Sequence, residues 1–161
     1  MDPLTPPIRR ADPADPAVAA LIAAHRAHSD ASYPAESNHN LDADGLGSPV
    51  VTLFAAVEDG ACLAMGALSA MGPADAEIKS MHVAEAARGR GLGRAMLRHL
   101  IAAAGDRGLW LETGSRDASA AARALYRAHG FAECPPFGSY AADPESVFMH
   151  RPRGLHTAPD P

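Results

Sequence analysis

The chain has 161 residues, 47% of them hydrophobic and 20% charged, which suits one soluble globular domain with a single sizeable core. A net charge of -5 and a pI near 5.8 exclude a general nucleic-acid binder, which needs a basic face or tail. No apolar run is long enough to cross a membrane. The proline-rich start lacks the hydrophobic region of a secretory signal, and Cys62 and Cys134 read as reduced thiols of a cytoplasmic protein.

Residues 4–10 form a first edge strand, weakened by Pro6 and Pro7. Asp15-Pro16 starts a helix, a capping carboxylate followed by proline at the first helical position. Over residues 17–28 that helix puts Val18, Leu21, Ile22 and His25 on one face. His25 and His28 lie three apart, but with no carboxylate or third histidine at helical spacing they read as helix-face residues and not as a metal site. Residues 29–49 carry no periodicity and many turn formers. A loop this long in a small domain is either functional or a solvated connection, and Tyr33, Glu36, His39 and Asp42 are its polar candidates.

Residues 50–57 read as a buried strand and Glu58-Asp59-Gly60 as a hairpin turn. Residues 61–71 return beside it, and a third strand begins at Glu77, so the three make an antiparallel meander. On that third strand Glu77 and Lys79 share a face by alternation, and His82 is expected on the other. Then comes Arg88-Gly89-Arg90-Gly91-Leu92-Gly93, followed by Leu92, Met96, Leu97, Leu100 and Ile101 at helical steps. A glycine-rich turn leading into a helix binds phosphate oxygens through the free N–H groups of the first turn, and Arg88, Arg90 and Arg94 add charge there. It is not a P-loop, because Gly93 is followed by Arg94-Ala95 and not by Lys-Ser or Lys-Thr. It is not a Rossmann fingerprint either, because the third glycine is missing.

After a break at residues 105–108, residues 109–113 form a strand parallel to the Glu77 strand, since a helix connects them by a right-handed crossover. Ser115 to Asp117 can cap a last helix at 118–129, with Ala121, Ala122, Leu125 and Tyr126 on its apolar face and Gly130 as its stop. A short strand at 131–134 and a loop follow, and residues 146–151 close the sheet. The expected domain is 1–151, with 152–161 a tail.

Two patterns carry a family resemblance: Arg88-x-x-Gly91-x-Gly93, and Ala122-x-x-Leu125-Tyr126-x-x-x-Gly130-Phe131. Both, in this order of strands and helices, resemble the GNAT superfamily of N-acetyltransferases, of a small single-domain bacterial type. The resemblance implies an α/β (α+β) fold whose mixed central sheet of six or seven strands is flanked by about four helices. It implies acetyl-CoA as co-substrate, no metal, and an amine acceptor on a small molecule or peptide. A homodimer remains open, and neither nucleic acid nor membrane is expected as a partner. The backbone of Met81, His82 and Val83 would bond the pantetheine arm, and the N–H groups of Arg88, Gly89, Arg90, Gly91, Leu92, Gly93 and Arg94 the pyrophosphate. Ser119 stands where many members carry an asparagine that contacts CoA, with a shorter reach.

The resemblance puts Tyr126 near the sulfur, where it would protonate the departing thiolate. Glu77, eleven residues before Arg88, has the spacing of the general base in histone-type members, or is a strand-end carboxylate paired with Lys79 or an arginine. Tyr33, His39 and Lys79 are candidates to contact the acceptor. The rival readings are a CoA-binding regulatory module without turnover and a nucleotide-binding protein.

Overall fold

The structure, a computed structural model, describes residues 5–37 and 39–155. The expectations for Leu4 and for the tail at 156–161 lie outside the described residues. The elements run β1 (Ile8–Arg10), α1 (Pro16–Ser32), α2 (Ala43–Leu46), β2 (Val51–Glu58), β3 (Ala61–Ala70), β4 (Asp75–Val83), α3 (Leu92–Ala104), β5 (Gly108–Gly114), α4 (Ala120–Ala128), β6 (Ala132–Cys134) and β7 (Ser146–Arg151). The seven strands form one mixed sheet in the order β1-β2-β3-β4-β5-β7-β6. The α/β expectation therefore holds, with one change of order: β7 pairs with β5 and lies inside the sheet, and β6 is the edge.

Helices cover both faces. Asp15 caps α1 by accepting from the Ala17 N–H at 3.0 Å. The helix buries Val18, Leu21 and Ile22 against Leu53, Ala55, Met65 and Ala67 of β2 and β3. On the opposite face α3 buries Leu92, Met96, Leu97 and Leu100 against Ile78, Leu109 and Leu111. Gly66 of β3 lets α3 approach closely, because a Cβ there would lie 2.9 Å from Leu100 Cδ1 and 3.0 Å from Met96 Cγ. Filling that space would push on the fully buried side chains of Leu100 and Met96.

The long segment after α1 is more ordered than its composition suggests. Helix α1 runs on to Ser32, a 3-10 turn covers Ala35–Ser37, and Asp42 caps the one-turn α2 by accepting from the Gly45 N–H at 2.8 Å. Tertiary bonds hold the segment: Ser37 Oγ donates to Asp143 Oδ2 at 2.6 Å, and Arg116 Nη1 donates to the Ser32 carbonyl at 2.7 Å. Beyond β7, Arg153 pairs with Asp75 and the Gly154 N–H bonds to the Asp106 carbonyl at 3.0 Å.

Two irregularities shape the centre of the sheet. β4 and β5 are parallel partners only from Asp75↔Gly108 to Glu77↔Trp110, and both strands continue beyond that point without pairing. β4 also carries a bulge: Ala67 pairs with Lys79 and Met65 with His82, so Ser80 and Met81 together face Gly66. Met65 and Ala67 point to one side of β3, so Lys79 and His82 point to one side of β4. The expectation that His82 faces away from Glu77 and Lys79 is thus overturned. An extra residue shifts the alternation by one and turns His82 onto their face.

Candidate active site

Where β4 and β5 diverge, a cavity of about 210 Å³ opens, lined by β4, β5, α1, the segment after α1 and α4. Glu77, Lys79, Ser80, Met81, His82, Glu112, Ser119, Tyr126 and Tyr140 are among its walls. Tyr33 and His39 reach it as well, so the structure brings the expected catalytic and acceptor-side residues to one place.

Glu77 sits at the last position where β4 pairs with β5. Its Oε2 accepts from Lys79 Nζ at 3.2 Å and from the Tyr140 hydroxyl at 2.6 Å, and Lys79 Nζ also donates to the Tyr140 oxygen at 2.8 Å. Glu77 and Lys79 side chains are only 13% and 14% exposed, so the pair is shielded from the screening that weakens surface ion pairs. Burial and the Glu77 carboxylate both push the Tyr140 phenol up, so it stays protonated and donates. Its ring is braced by Phe137 and Phe148, and His39 meets it edge-on at 5.1 Å.

Glu112 of β5 enters the same cavity. Burial raises its pKa above the ordinary carboxylate value, opposed by the hydrogen bond that Ser146 Oγ gives its Oε2 at 2.7 Å. Tyr126 of α4 is 6% exposed and packs on Phe131 at 5.8 Å between ring centroids. Burial, with a smaller contribution from the Glu112 charge, pushes its phenol up to about 12. Helix α4 ends as expected: Gly130 follows at φ 93° and the Phe131 N–H returns to the Tyr126 carbonyl at 3.2 Å. Its start differs. The residue that caps it is Ser119, whose side chain makes no capping bond. Ser119 Oγ instead bonds Tyr33 Oη at 2.8 Å, and Tyr33 Oη also accepts the Arg116 N–H at 3.0 Å. Gly114 makes room for this, since a Cβ there would lie 1.8 Å from Tyr33 Oη. Tyr33 thus ties the end of α1 to the start of α4.

His82 meets two histidines of α1, His25 at 4.7 Å and His28 at 5.9 Å between ring centroids. Burial foremost, and the neighbouring positive groups, lower His25 and His82 to about 4, so both rings are neutral at physiological pH. Among the described residues no group of three or more His, Cys, Asp or Glu is arranged to hold a metal ion.

At the other end of β4 the chain makes its glycine-rich turn. Gly89 and Gly91 have φ of 83° and 78°, and a Cβ on either would meet nothing within 4 Å, so the backbone lies open on that side. Gly91 caps α3 with no side-chain hydrogen bond, which leaves the first-turn N–H groups for another acceptor. Leu92 is buried in the core and anchors the helix, and Arg88 and Arg94 are exposed around the turn. Arg90 reaches back to Glu58 of the β2–β3 hairpin at 3.2 Å. A Cβ on Gly93 would meet Val83 Cγ2 at 3.6 Å and Leu125 Cδ2 at 3.8 Å, ordinary contact distances.

Ser80, Glu112 and Tyr140 of the site were not singled out in the sequence. Glu112 could have been found as the one charge in the otherwise apolar run LWLET, whereas Tyr140 lies in a loop whose composition gives no such signal.

Comparison with known proteins agrees with this architecture. Residues 18–131 match the family model of the acetyltransferase (GNAT) family. The uncharacterized N-acetyltransferase YedL of Escherichia coli (strain K12) is 39% identical over 145 residues, 88% of this chain and 91% of that protein. The IAA acetyltransferase of Azospirillum brasilense is 39% identical over 149 residues, 90% of this chain and 96% of that protein. Among solved structures, a candidate acyl-CoA N-acyltransferase from Klebsiella pneumoniae subsp. pneumoniae MGH 78578 is 30% identical, with a TM-score of 0.72 over 91% of this chain and 97% of that one.

Proposed function

As the chain belongs to the acetyltransferase (GNAT) family, we propose that it moves an acetyl group from acetyl-CoA to a primary amine of a small molecule or peptide, by direct attack in a ternary complex. The observation that carries this reading is the diverging pair β4 and β5, where two carboxylates and a buried phenol line one cavity. The uncapped, glycine-led start of α3 comes after β4 across a 3-10 turn at Glu85–Ala87. The open backbone at Gly89 and Gly91 fits a pyrophosphate, which a helix N-terminus holds through N–H groups and the positive end of its dipole. Beyond Glu77 the edge of β4 that faces β5 carries no strand partner, which suits backbone bonds from Met81, with His82 and Val83 next to it, to the pantetheine amides.

Acetyl-CoA supplies the activated acyl carbon. The amine nitrogen attacks it, the C–N bond forms, the C–S bond breaks, and one proton must leave the amine while another reaches the thiolate. Two carboxylates divide the amine's side of this work. Glu77, braced by Lys79 and Tyr140 on Oε2, keeps Oε1 for the acceptor amine, directly or through water. Glu112, whose pKa burial raises above the ordinary carboxylate value, takes the proton. Tyr126 faces the leaving group. A free thiol has a pKa of ~8.5, so a phenol near 12 transfers its proton uphill. The same burial raises the thiol beside it, and the phenol's hydrogen bond stabilises the developing thiolate before any proton moves. A regulatory module that only binds CoA has no use for a raised carboxylate and a buried phenol on one cavity.

Initial rates with both substrates varied test the direct attack. Intersecting lines are expected, and parallel lines would mean an acetyl-enzyme intermediate and overturn it.

A further inference from the structure

Ser80 has two costs at one position. Its φ is 54°, in the left-handed region that side chains other than glycine rarely occupy. Its residue is 6% exposed, and its Oγ is the one buried side-chain polar atom among the described residues without a hydrogen-bond partner. Orphaned buried hydroxyls are uncommon, because desolvation is not compensated. A glycine at this bulge would remove both costs. What serine adds is a hydroxyl, and Ser80 lines the cavity together with Ile78, Leu111, Ala122 and Tyr126.

On the acetyl-transfer reading above, we propose that the Ser80 hydroxyl is a catalytic hydrogen-bond donor to the thioester carbonyl oxygen. When the amine attacks, the carbonyl π electrons move onto that oxygen. When the intermediate collapses they return, the C–S bond breaks and its electron pair stays on sulfur. A donor fixed at the oxygen stabilises the charge between those two events, and apolar neighbours such as Ile78 and Leu111 strengthen the interaction. The bulge serves this role by leaving Ser80 without a cross-strand partner and setting its side chain at the point where β4 and β5 have parted. Strain held at such a point is what a preorganised site requires.

Ser80→Ala removes the hydroxyl and keeps the strain, and Ser80→Gly removes both. Each is expected to lower kcat by roughly ten- to a thousandfold. Calorimetry should show acetyl-CoA bound more weakly while free CoA, which has no thioester, binds as to the wild type. The Gly variant should melt no lower than the wild type, so a loss of activity there cannot be put down to unfolding. Equal weakening of CoA and acetyl-CoA with normal kcat would place the hydroxyl on a pantetheine amide and overturn the proposal. Unchanged kcat and affinities would overturn it as well. A wild-type protein that transfers no acetyl group would instead remove the functional reading it rests on, which the kcat of the wild type reports separately.

Discussion

The Tyr140 hydroxyl donates to Glu77 Oε2 at 2.6 Å across 63 residues of sequence. The bond joins the loop between β6 and β7 to the strand where the sheet opens, and Lys79 bonds both partners. Tyr140→Phe keeps the ring against Phe137 and Phe148 and deletes only this hydroxyl. Hydrogen bonds to a charged group are worth ~1.5–3 kcal/mol, so kcat/KM for the acceptor should fall about ten- to a hundredfold. Acetyl-CoA affinity should hold. An unchanged acceptor kcat/KM would return Glu77 and Tyr140 to a purely structural role.

Glu112 gives a prediction in which stability and activity move in opposite directions. Its native pKa is raised by burial, so the folded protein holds that proton to a higher pH than the unfolded chain does. Stability is therefore lost as pH rises through the native value, and it stays lost above it. Glu112→Gln removes this cost and its side-chain carbonyl can still accept from Ser146. The variant should melt higher than the wild type at pH 8, with the gap closing as pH falls into the ordinary carboxylate range. Its kcat should drop by roughly a hundredfold or more. A variant with full activity would take Glu112 out of the chemistry, and one that melts lower at pH 8 would contradict the burial argument.

Tyr126→Phe deletes the phenol oxygen and leaves the ring packed on Phe131. Its kcat should fall by roughly ten- to a thousandfold, with acetyl-CoA affinity and Tm little changed. Because the loss is of a donor to the thiolate, it should shrink with acyl donors whose thiol leaving group is more acidic. Normal kcat with chemistry rate-limiting would mean that water protonates the thiolate.

The turn before α3 can be tested without clashing with the protein. Gly91 has φ 78° and no atom within 4 Å of where a Cβ would stand, and asparagine is the side-chain residue that tolerates such a φ best. Gly91→Asn should fold with a Tm within a few degrees of the wild type. Its affinity for CoA should fall at least tenfold in calorimetry, while pantetheine, which has no pyrophosphate, should bind as before. Undiminished CoA binding would remove this turn from the site.

The parts of this molecule that local pattern encodes were legible in the sequence. An apolar run and the hairpin turn after it mark β2 and β3, helical spacing marks α3 from Leu92 to Leu100, and Gly89 and Gly91 of the turn between β4 and α3 have the open, left-handed conformations that their chemistry needs. The rest depends on distant contacts. Nothing in Lys79-Ser80-Met81 announces a bulge, since no glycine or proline stands there, and so strict alternation puts His82 on the wrong face. The order of the elements along the chain does not reveal that β7 inserts between β5 and β6. Tyr140 and Glu112 become site residues only when that insertion brings the β6–β7 loop and Ser146 beside β4 and β5. The ordered turns after α1 likewise depend on partners such as Asp143, more than a hundred residues away.

Acetyl transfer itself is tested most directly by incubating the wild-type protein with acetyl-CoA and pooled primary amines, then following free CoA and acetylated products by mass spectrometry. The pool should hold amino acids, polyamines, aminoglycosides and peptides. The account predicts one acetylated amine per CoA released, at a rate well above hydrolysis of acetyl-CoA without amine, and at most about a tenth as much product from Tyr126→Phe within the same time. Tight CoA binding with no acetylated amine in any pool would contradict it and leave a binding module in place of an enzyme.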